Sequence, residues 1–192
     1  MYRKVYTVLI YFLTPLVMLR MFWRACKTPK YGRRWHERLG FVPKINTDKK
    51  VIWIHSVSVG ETLAAVPLIR KIQKRYPETL LVVTTTTLTG SERVRSIFPS
   101  SIYHVYAPYD LPSAVNRFIK RTHPSLVIIM ETELWPNIIH YCNETKIPII
   151  VANARMSEKS LKGYQKFSRF TEKMLHKVDH IVAQHNDDGE NF

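Results

Sequence analysis

The chain has 192 residues, enough for one domain with a proper hydrophobic core, and 45% of them are hydrophobic. Its formal charge of +14 is uneven: residues 1–50 carry twelve Lys/Arg against two Asp/Glu, and the remaining 142 carry seventeen against thirteen. The only cysteines, Cys26 and Cys142, are far apart, which excludes a cysteine-based metal or redox motif and reads as two free thiols in a reducing compartment.

The first element is an uncharged apolar run, "VYTVLIYFLTPLVML", over 5–19. As a helix it is about 22 Å long, short of the roughly 30 Å hydrocarbon core of a bilayer. Pro15 in its middle is placed to kink it. No small-x-small cleavage site follows, so a secretory signal is disfavoured. Arg3 and Lys4 precede the run, and Arg20, Arg24, Lys27, Lys30, Arg33 and Arg34 follow it. Positive charge on both flanks favours a monotopic or shallowly inserted anchor over a span. The alternative is a hydrophobic helix buried in the globular domain.

The next stretch, "KTPKYGRRWHERLGFVPK", mixes Arg with Tyr31, Trp35 and Phe41. Aromatic rings at the interface and guanidinium groups toward phosphate suit a membrane surface carrying phosphorylated lipid. Nucleic acid would use the same mixture, but no RNP, KH or helix-turn-helix pattern accompanies it, so no nucleic-acid partner is expected. The plain alternative is a solvated basic helix. Residues 1–48 therefore read as a membrane anchor and basic arm, and 49–192 as the folded domain.

From residue 50 a rhythm takes over. Short apolar runs, most of them rich in Val and Ile, occupy 51–54, 80–83, 102–105, 126–130, 147–151 and 180–183. Amphipathic segments lie between them, at 61–76, 89–97, 111–121, 135–142 and 157–175, and a further helix starts at Asp187. Strand and helix alternating at this length predict an α/β fold: a Rossmann-like parallel sheet with helices on both faces. The abrupt polar end, "QHNDDGENF", makes the chain look like half of something larger.

In the strand order 3-2-1-4-5-6, the first and fourth strands are neighbours, and ligands bind at the carboxyl ends of the strands where the order reverses. The first strand leads into "HSVSVGE", a glycine turn with Ser56, Ser58, Gly60 and Glu61. The fourth leads into "ETELWP", with Glu131, Glu133 and Trp135. The second ends in a row of threonines that includes Thr86, and the fifth in "NAR", with Asn153 and Arg155. Glu61 and Glu131, seventy residues apart, should thus face one crevice. Each also has a plainer reading: Glu61 as a first-turn glutamate complementing a helix dipole, Glu131 and Glu133 as solvated loop charges, Trp135 as a capping and packing residue. No His or Asp joins E-x-E at ligand spacing, so no metal is expected. Nor is there a G-x-S-x-G elbow for a nucleophilic serine.

"HSVSVGETLAA", "PYDLP", "METELWPN" and "NARMS", with "RRWHERLGF" before them, together resemble the N-terminal half of the 3-deoxy-D-manno-octulosonic acid (Kdo) transferases. These glycosyltransferases add Kdo to lipid A precursors in Gram-negative bacteria. The resemblance implies a two-domain GT-B fold of which this chain is the acceptor-side half. Most of the CMP-Kdo site would then lie in a C-terminal half, and this half alone would be inactive. It implies Glu61 as general base and Glu131 as stabiliser of the transition state. The expected substrate-binding set is Ser56, Ser58, Gly60, Thr86, Glu133, Trp135, Asn153 and Arg155. Arg33, Arg34 and Arg38 are expected to meet lipid A phosphates or the Kdo carboxylate, with Glu37 as an ion-pair partner among them. Implied partners are the lipid A precursor (lipid IVA), CMP-Kdo as donor substrate with no further cofactor, and the anionic cytoplasmic face of the inner membrane. The competing reading is a catalytically silent membrane-associated Rossmann-like module that binds the acceptor or another nucleotide sugar; the missing G-x-G-x-x-G speaks against a dinucleotide.

Overall fold

The computed structural model describes residues 2–155 and 168–184. Helix α1 (Tyr2–Lys27) and two 3-10 turns (Pro29–Gly32 and Trp35–Leu39) precede the alternating part of the chain. That part runs β1 (Val51–His55), α2 (Val59–Arg75), β2 (Leu80–Thr85), α3 (Leu88–Ile97), β3 (Tyr103–Tyr106) and α4 (Pro112–Thr122). It continues with β4 (Leu126–Met130), α5 (Pro136–Glu144), β5 (Ile149–Ala154), α6 (Ser168–Leu175) and β6 (His180–Ala183). Helix α6 is the end of the amphipathic stretch expected over 157–175; the rest of that stretch, and the helix expected from Asp187, lie outside the described residues.

All six strands are parallel, in the order β3-β2-β1-β4-β5-β6. The runs are apolar throughout because both faces of the sheet are covered. Trp53, Val82 and Ile129 point to one side, where they meet Val115 and Phe118 of α4 and Ile138 of α5. Ile54, Val83 and Ile128 point to the other, against Ala65 and Ile69 of α2 and Val94 of α3. Trp53 and Phe118, ring centroids 4.6 Å apart, centre the first layer; truncating either to Ala costs about 3–5 kcal/mol.

Residues 34–45 are laid along the side of this domain. Gly40 has φ +79°, and a Cβ there would overlap the Ala114 carbonyl oxygen. Arg117 and Arg121 of α4 donate to the carbonyls of Leu39 and Val42, and the Val42 side chain is buried in the core. Arg34 and Glu37 close the outer edge of the sheet. The Arg34 guanidinium donates to the His104 carbonyl at 2.7 Å, and the Glu37 carboxylate accepts the Tyr106 N–H at 2.8 Å. The two side chains also pair with each other at 2.7 Å. An ion pair thus stands where a seventh strand would pair with β3.

Helix α1 is longer than the apolar run, because Tyr2–Lys4 and Arg20–Lys27 continue it on both sides, and Pro15 does not end it. At 26 residues it is about 39 Å long, and it is apolar enough to cross a membrane. It has two faces. Arg3, Tyr6, Ile10, Thr14, Met18 and Met21 are partly covered by the domain. Val5, Leu9, Phe12, Leu16, Leu19 and Trp23, on the opposite stripe, are exposed, Phe12 by 76%. No residue of α1 is fully buried, so it is not a core helix.

Candidate active site at the carboxyl edge of the sheet

The β1–α2 connection is a three-residue turn rather than a glycine turn. Ser56, Val57 and Ser58 make it, and Gly60 already lies inside α2. Gly60 does not take a positive φ, and a Cβ on it would meet only the Ser58 hydroxyl, at 3.7 Å. The turn is fixed from below by β2. Ser56 donates its N–H and its hydroxyl to the Thr84 carbonyl, at 3.0 and 3.2 Å. Thr86 donates its hydroxyl to the Val57 carbonyl at 2.8 Å, and its own carbonyl accepts from Arg38 at 2.8 Å. Ser56, Ser58 and Thr86 therefore serve chiefly to shape the loop.

What the loop shapes is the position of Glu61. Ser58 and Glu61 form a capping box: the Glu61 N–H donates to the Ser58 hydroxyl, and the Ser58 N–H donates back to the carboxylate at 3.0 Å. The second carboxylate oxygen accepts the Val57 N–H at 2.6 Å. The side chain is only 4% exposed. The first-turn reading of Glu61 is therefore correct as local structure, but it does not exhaust the residue. A carboxylate has about four lone-pair sites; the two backbone donors occupy two and hold the rest in a fixed direction.

Across the switch point, Glu131 leaves β4 in a left-handed conformation, φ +57°. Asn153 does the same at the end of β5, where the register with β6 shifts. Left-handed backbone at a non-glycine residue costs of order 1–3 kcal/mol and recurs at functional sites. Burial pushes the Glu131 carboxyl above its usual range, and the charge of Glu61 adds to this, while Arg155 pulls it back. Burial also raises Glu133; the bond from Trp135 opposes it, and the charges of Glu61 and Glu131 reinforce it. Glu61, Glu131, Glu133 and Arg155 are thus close enough to feel one another, as the strand order demands.

Trp135 is the pivot of this edge. Its indole N–H donates to Glu133 at 2.9 Å, and its ring stands edge-to-face on His55 at 4.8 Å. His55 is fully buried, with Nδ1 3.0 Å from the Thr84 hydroxyl and Nε2 unpartnered. Burial pulls its pKa down to about 4, so the ring is neutral at physiological pH. Trp135 precedes α5, whose first N–H groups are held by Asp110 of "PYDLP": Asn137 N–H at 3.0 Å and Ile138 N–H at 2.8 Å. Reading the sequence missed Asp110 and Asn137. The available signal was a lone acid and a lone amide, each flanked by apolar residues and prolines.

The three arginines of the arm separate. Arg33 is exposed. Arg34 is occupied at the sheet edge. Arg38 lies 4.2 Å from the Tyr106 ring centroid and reaches the site loop through Thr86. Among the described residues no group of three or more His, Cys, Asp or Glu could hold a metal ion.

A six-stranded doubly wound parallel sheet with carboxylates gathered at its switch point defines a Rossmann-like α/β domain. Solved structures agree on the fold. A putative UDP-N-acetylglucosamine 2-epimerase from Listeria monocytogenes superposes with a TM-score of 0.55 over 76% of this chain and 42% of its own, at 12% identity. The Neisseria meningitidis UDP-GlcNAc 2-epimerase gives 0.53 over 74% and 42%, at 15% identity. The chain itself belongs to the 3-deoxy-D-manno-octulosonic-acid transferase (kdotransferase) family, whose N-terminal model matches residues 33–192. It is 41% identical to the 3-deoxy-D-manno-octulosonic acid transferase of Haemophilus influenzae over 100% of this chain and 45% of that protein. It is 38% identical to a probable mitochondrial relative in Arabidopsis thaliana, over 84% and 36%. With the Bordetella pertussis transferase it shares 32% over 97% and 45%. The chain thus spans less than half the length of these curated relatives.

Proposed function

We propose that this chain is the acceptor-side half of an inverting glycosyltransferase that moves Kdo from CMP-Kdo to a lipid A precursor, lipid IVA. The observation that carries the reading is the Glu61 carboxylate, held by two backbone N–H groups at the switch point with Glu131 across from it. An acceptor hydroxyl attacks the anomeric carbon of Kdo from the face opposite CMP. Its oxygen bonds to that carbon, the bond from the anomeric carbon to the phosphate oxygen breaks, and CMP leaves with the electron pair. The hydroxyl proton goes to a free lone pair of Glu61. Positive charge develops on the sugar ring as CMP departs, and the negative charge of Glu131 stabilises it. Glu133, Trp135, Asn153 and Arg155 line the substrate's side of the edge, and the donor phosphate belongs to the second half of the enzyme. The donor carries its own leaving group, so the scheme asks for no further cofactor.

The acceptor lies in a membrane. The apolar outer stripe of α1 and the basic arm supply an attachment to the anionic cytoplasmic face of the inner membrane. Because one face of α1 rests on the domain along its length, we read it as lying in the interface rather than crossing it.

The test is transfer by the enzyme carrying both halves. Glu61→Gln keeps the shape and removes the base, so kcat should fall by about 10²–10⁴. Near-normal kcat would remove Glu61 from that role. The 192-residue chain alone should give no product, and turnover by it would overturn the division of labour between halves.

A further inference from the structure

His55 is a buried titratable residue that the proposed reaction does not use. It stands at the end of β1, against the Trp135 ring. Its Nδ1 lies 3.0 Å from the Thr84 hydroxyl oxygen, which also accepts the Trp53 indole N–H at 2.9 Å. An indole nitrogen only donates, so Trp53 takes one lone pair of that hydroxyl. Among the described residues the Thr84 hydroxyl proton then has one acceptor in reach, His55 Nδ1. Burial keeps the ring neutral, so a proton accepted at Nδ1 leaves the ring's own proton on Nε2. Nε2 is the one buried side-chain nitrogen or oxygen without a hydrogen-bond partner among the described residues. Two indoles pack on the His55 ring. Trp53, 5.9 Å away between centroids, has spent its N–H on Thr84; Trp135 is closer, at 4.8 Å, and the two planes stand at 75°. A T-shaped pair brings the positive edge of one ring to the negative face of the other, and an N–H at that edge is a weak donor to the face.

We infer that His55 is a positioning residue for the acidic end of the site: as the Nε2–H tautomer it donates to the face of the Trp135 indole and holds that ring, so that the indole N–H keeps the Glu133 carboxylate in place. The donors then run one way, from Trp53 to Thr84, to His55, to Trp135 and out to Glu133. A chain of donors that ends on a carboxylate polarises each link toward the charge. Trp135 needs such a hold. It makes no side-chain cap bond to α5 and is only partly buried, so the helix start alone does not fix its indole. Released, Glu133 would feel the charges of Glu61 and Glu131 without the opposing N–H, and would turn away from them. The inference rests on the reading of this edge as the substrate's, and adds to it a residue that touches no substrate.

The first measurement needs no substitution, so it does not depend on a variant folding. Imidazole nitrogen NMR shifts, assigned through the backbone of β1, report which nitrogen of His55 carries the proton. The Nε2–H form is expected at neutral pH; the Nδ1–H form or a charged ring would overturn the proposal. The second measurement reads Trp135, whose indole signal is identified by its loss in Trp135→Phe. An asparagine amide reaches close to where Nδ1 lies, and a glutamine amide close to where Nε2 lies. His55→Gln therefore keeps a donor toward Trp135, whereas His55→Asn keeps only the partner of Thr84. Hydrogen exchange of the Trp135 indole N–H should quicken about fivefold in His55→Asn, the population change that an aromatic pair of this kind is worth, and much less in His55→Gln. If the ring only filled space or only bonded Thr84, the two variants would match or Asn would be the milder, and either result would overturn the proposal. In the enzyme carrying both halves, His55→Asn should raise the acceptor KM about fivefold at nearly constant kcat, with His55→Gln again the milder. An acceptor KM unmoved by His55→Asn would overturn the positioning role. If tautomer and exchange behave as described but the two-half enzyme transfers no Kdo, the donor chain stands and the proposed reaction fails. If Kdo is transferred and the exchange rates do not separate, the reaction stands and the donor chain fails.

Discussion

Asp110 and Asn137 hold one another by both main chain and side chain. The Asn137 N–H donates to the Asp110 carboxylate, the Asn137 amide donates to the Asp110 carbonyl at 2.7 Å, and the Asn137 side-chain oxygen is left to accept from Arg3 and Thr7 of α1. One amide thus joins α1, the turn before α4 and the start of α5, directly behind Trp135.

That joint makes stability depend on pH. Burial pushes the Asp110 carboxyl up to about 6, against the pull of the Asn137 and Ile138 N–H groups, Tyr6 and Arg3. An exposed Asp titrates near 4, so the native state holds this proton more tightly than the unfolded chain does. The contribution is therefore full below about pH 4 and is lost as the pH rises through about 6, by roughly 3 kcal/mol. Unfolding free energies from urea titrations at about pH 4 to 7 should show a decline that is smaller by this amount in Asp110→Asn.

Ser58→Ala removes the hydroxyl that accepts the Glu61 N–H. A lost N-cap costs about 1 kcal/mol, so the thermal midpoint should drop modestly. In the two-half enzyme kcat should fall less than for Glu61→Gln, because Glu61 keeps the Val57 and Ser58 N–H donors. Equal losses for the two variants would mean that the cap, not the base, is what the reaction needs.

Arg155 offsets part of the upward shift of Glu131. Arg155→Ala should therefore raise the Glu131 titration further, and the acid limb of the pH–rate profile of the two-half enzyme should move to higher pH. An unmoved limb would show that Glu131 does not govern it.

Two glycines should behave oppositely. Gly40→Ala combines a left-handed backbone, about 1–2 kcal/mol for an L-residue, with a clash against the Ala114 carbonyl, and should lower the denaturation midpoint clearly. Gly60→Ala adds a methyl that meets only the Ser58 hydroxyl, at an ordinary contact distance of 3.7 Å, on the first turn of α2, so the fold should hold or gain slightly. Its effect belongs to the substrate side: a fall in turnover with an unchanged midpoint is expected.

Phe12→Asp with Leu16→Asp changes only the outer stripe of α1 and leaves the contacts with Asn137 intact. Co-sedimentation with anionic vesicles should drop strongly at unchanged thermal stability, and raised salt should weaken what remains. Removing residues 1–25 should release the protein as well, but with a loss of stability at the Asp110–Asn137 joint.

The sheet could be read from the sequence because a parallel strand buried on both faces leaves a continuous apolar run, and six such runs with helical segments between them admit few arrangements. The strand order then brought Glu61 and Glu131 to one edge. What could not be read were bonds to main-chain groups. Asp110 meets the N–H groups of Asn137 and Ile138, which any residues would have supplied. Likewise "GRRWHER" presents equivalent charges, and only the fold sends Arg34 to the edge of β3 and Arg38 toward Thr86. Helix α1 and the arm after it were legible as apolar and basic. Its second, domain-facing stripe was not, since Arg3, Thr7 and Tyr11 find partners more than a hundred residues away.

The pairing of Arg34 and Glu37 with β3 has a consequence for handling the protein. A bare sheet margin offers a ready template on which another copy can add its own strand, the first step of ordered aggregation. Here the guanidinium and carboxylate occupy the His104 carbonyl and the Tyr106 N–H, so that margin is blocked by two side chains of the same molecule. A domain trimmed to begin at residue 49, the natural choice for removing the apolar helix, would lose this guard and should turn up in the insoluble fraction; trimming at residue 30 keeps it.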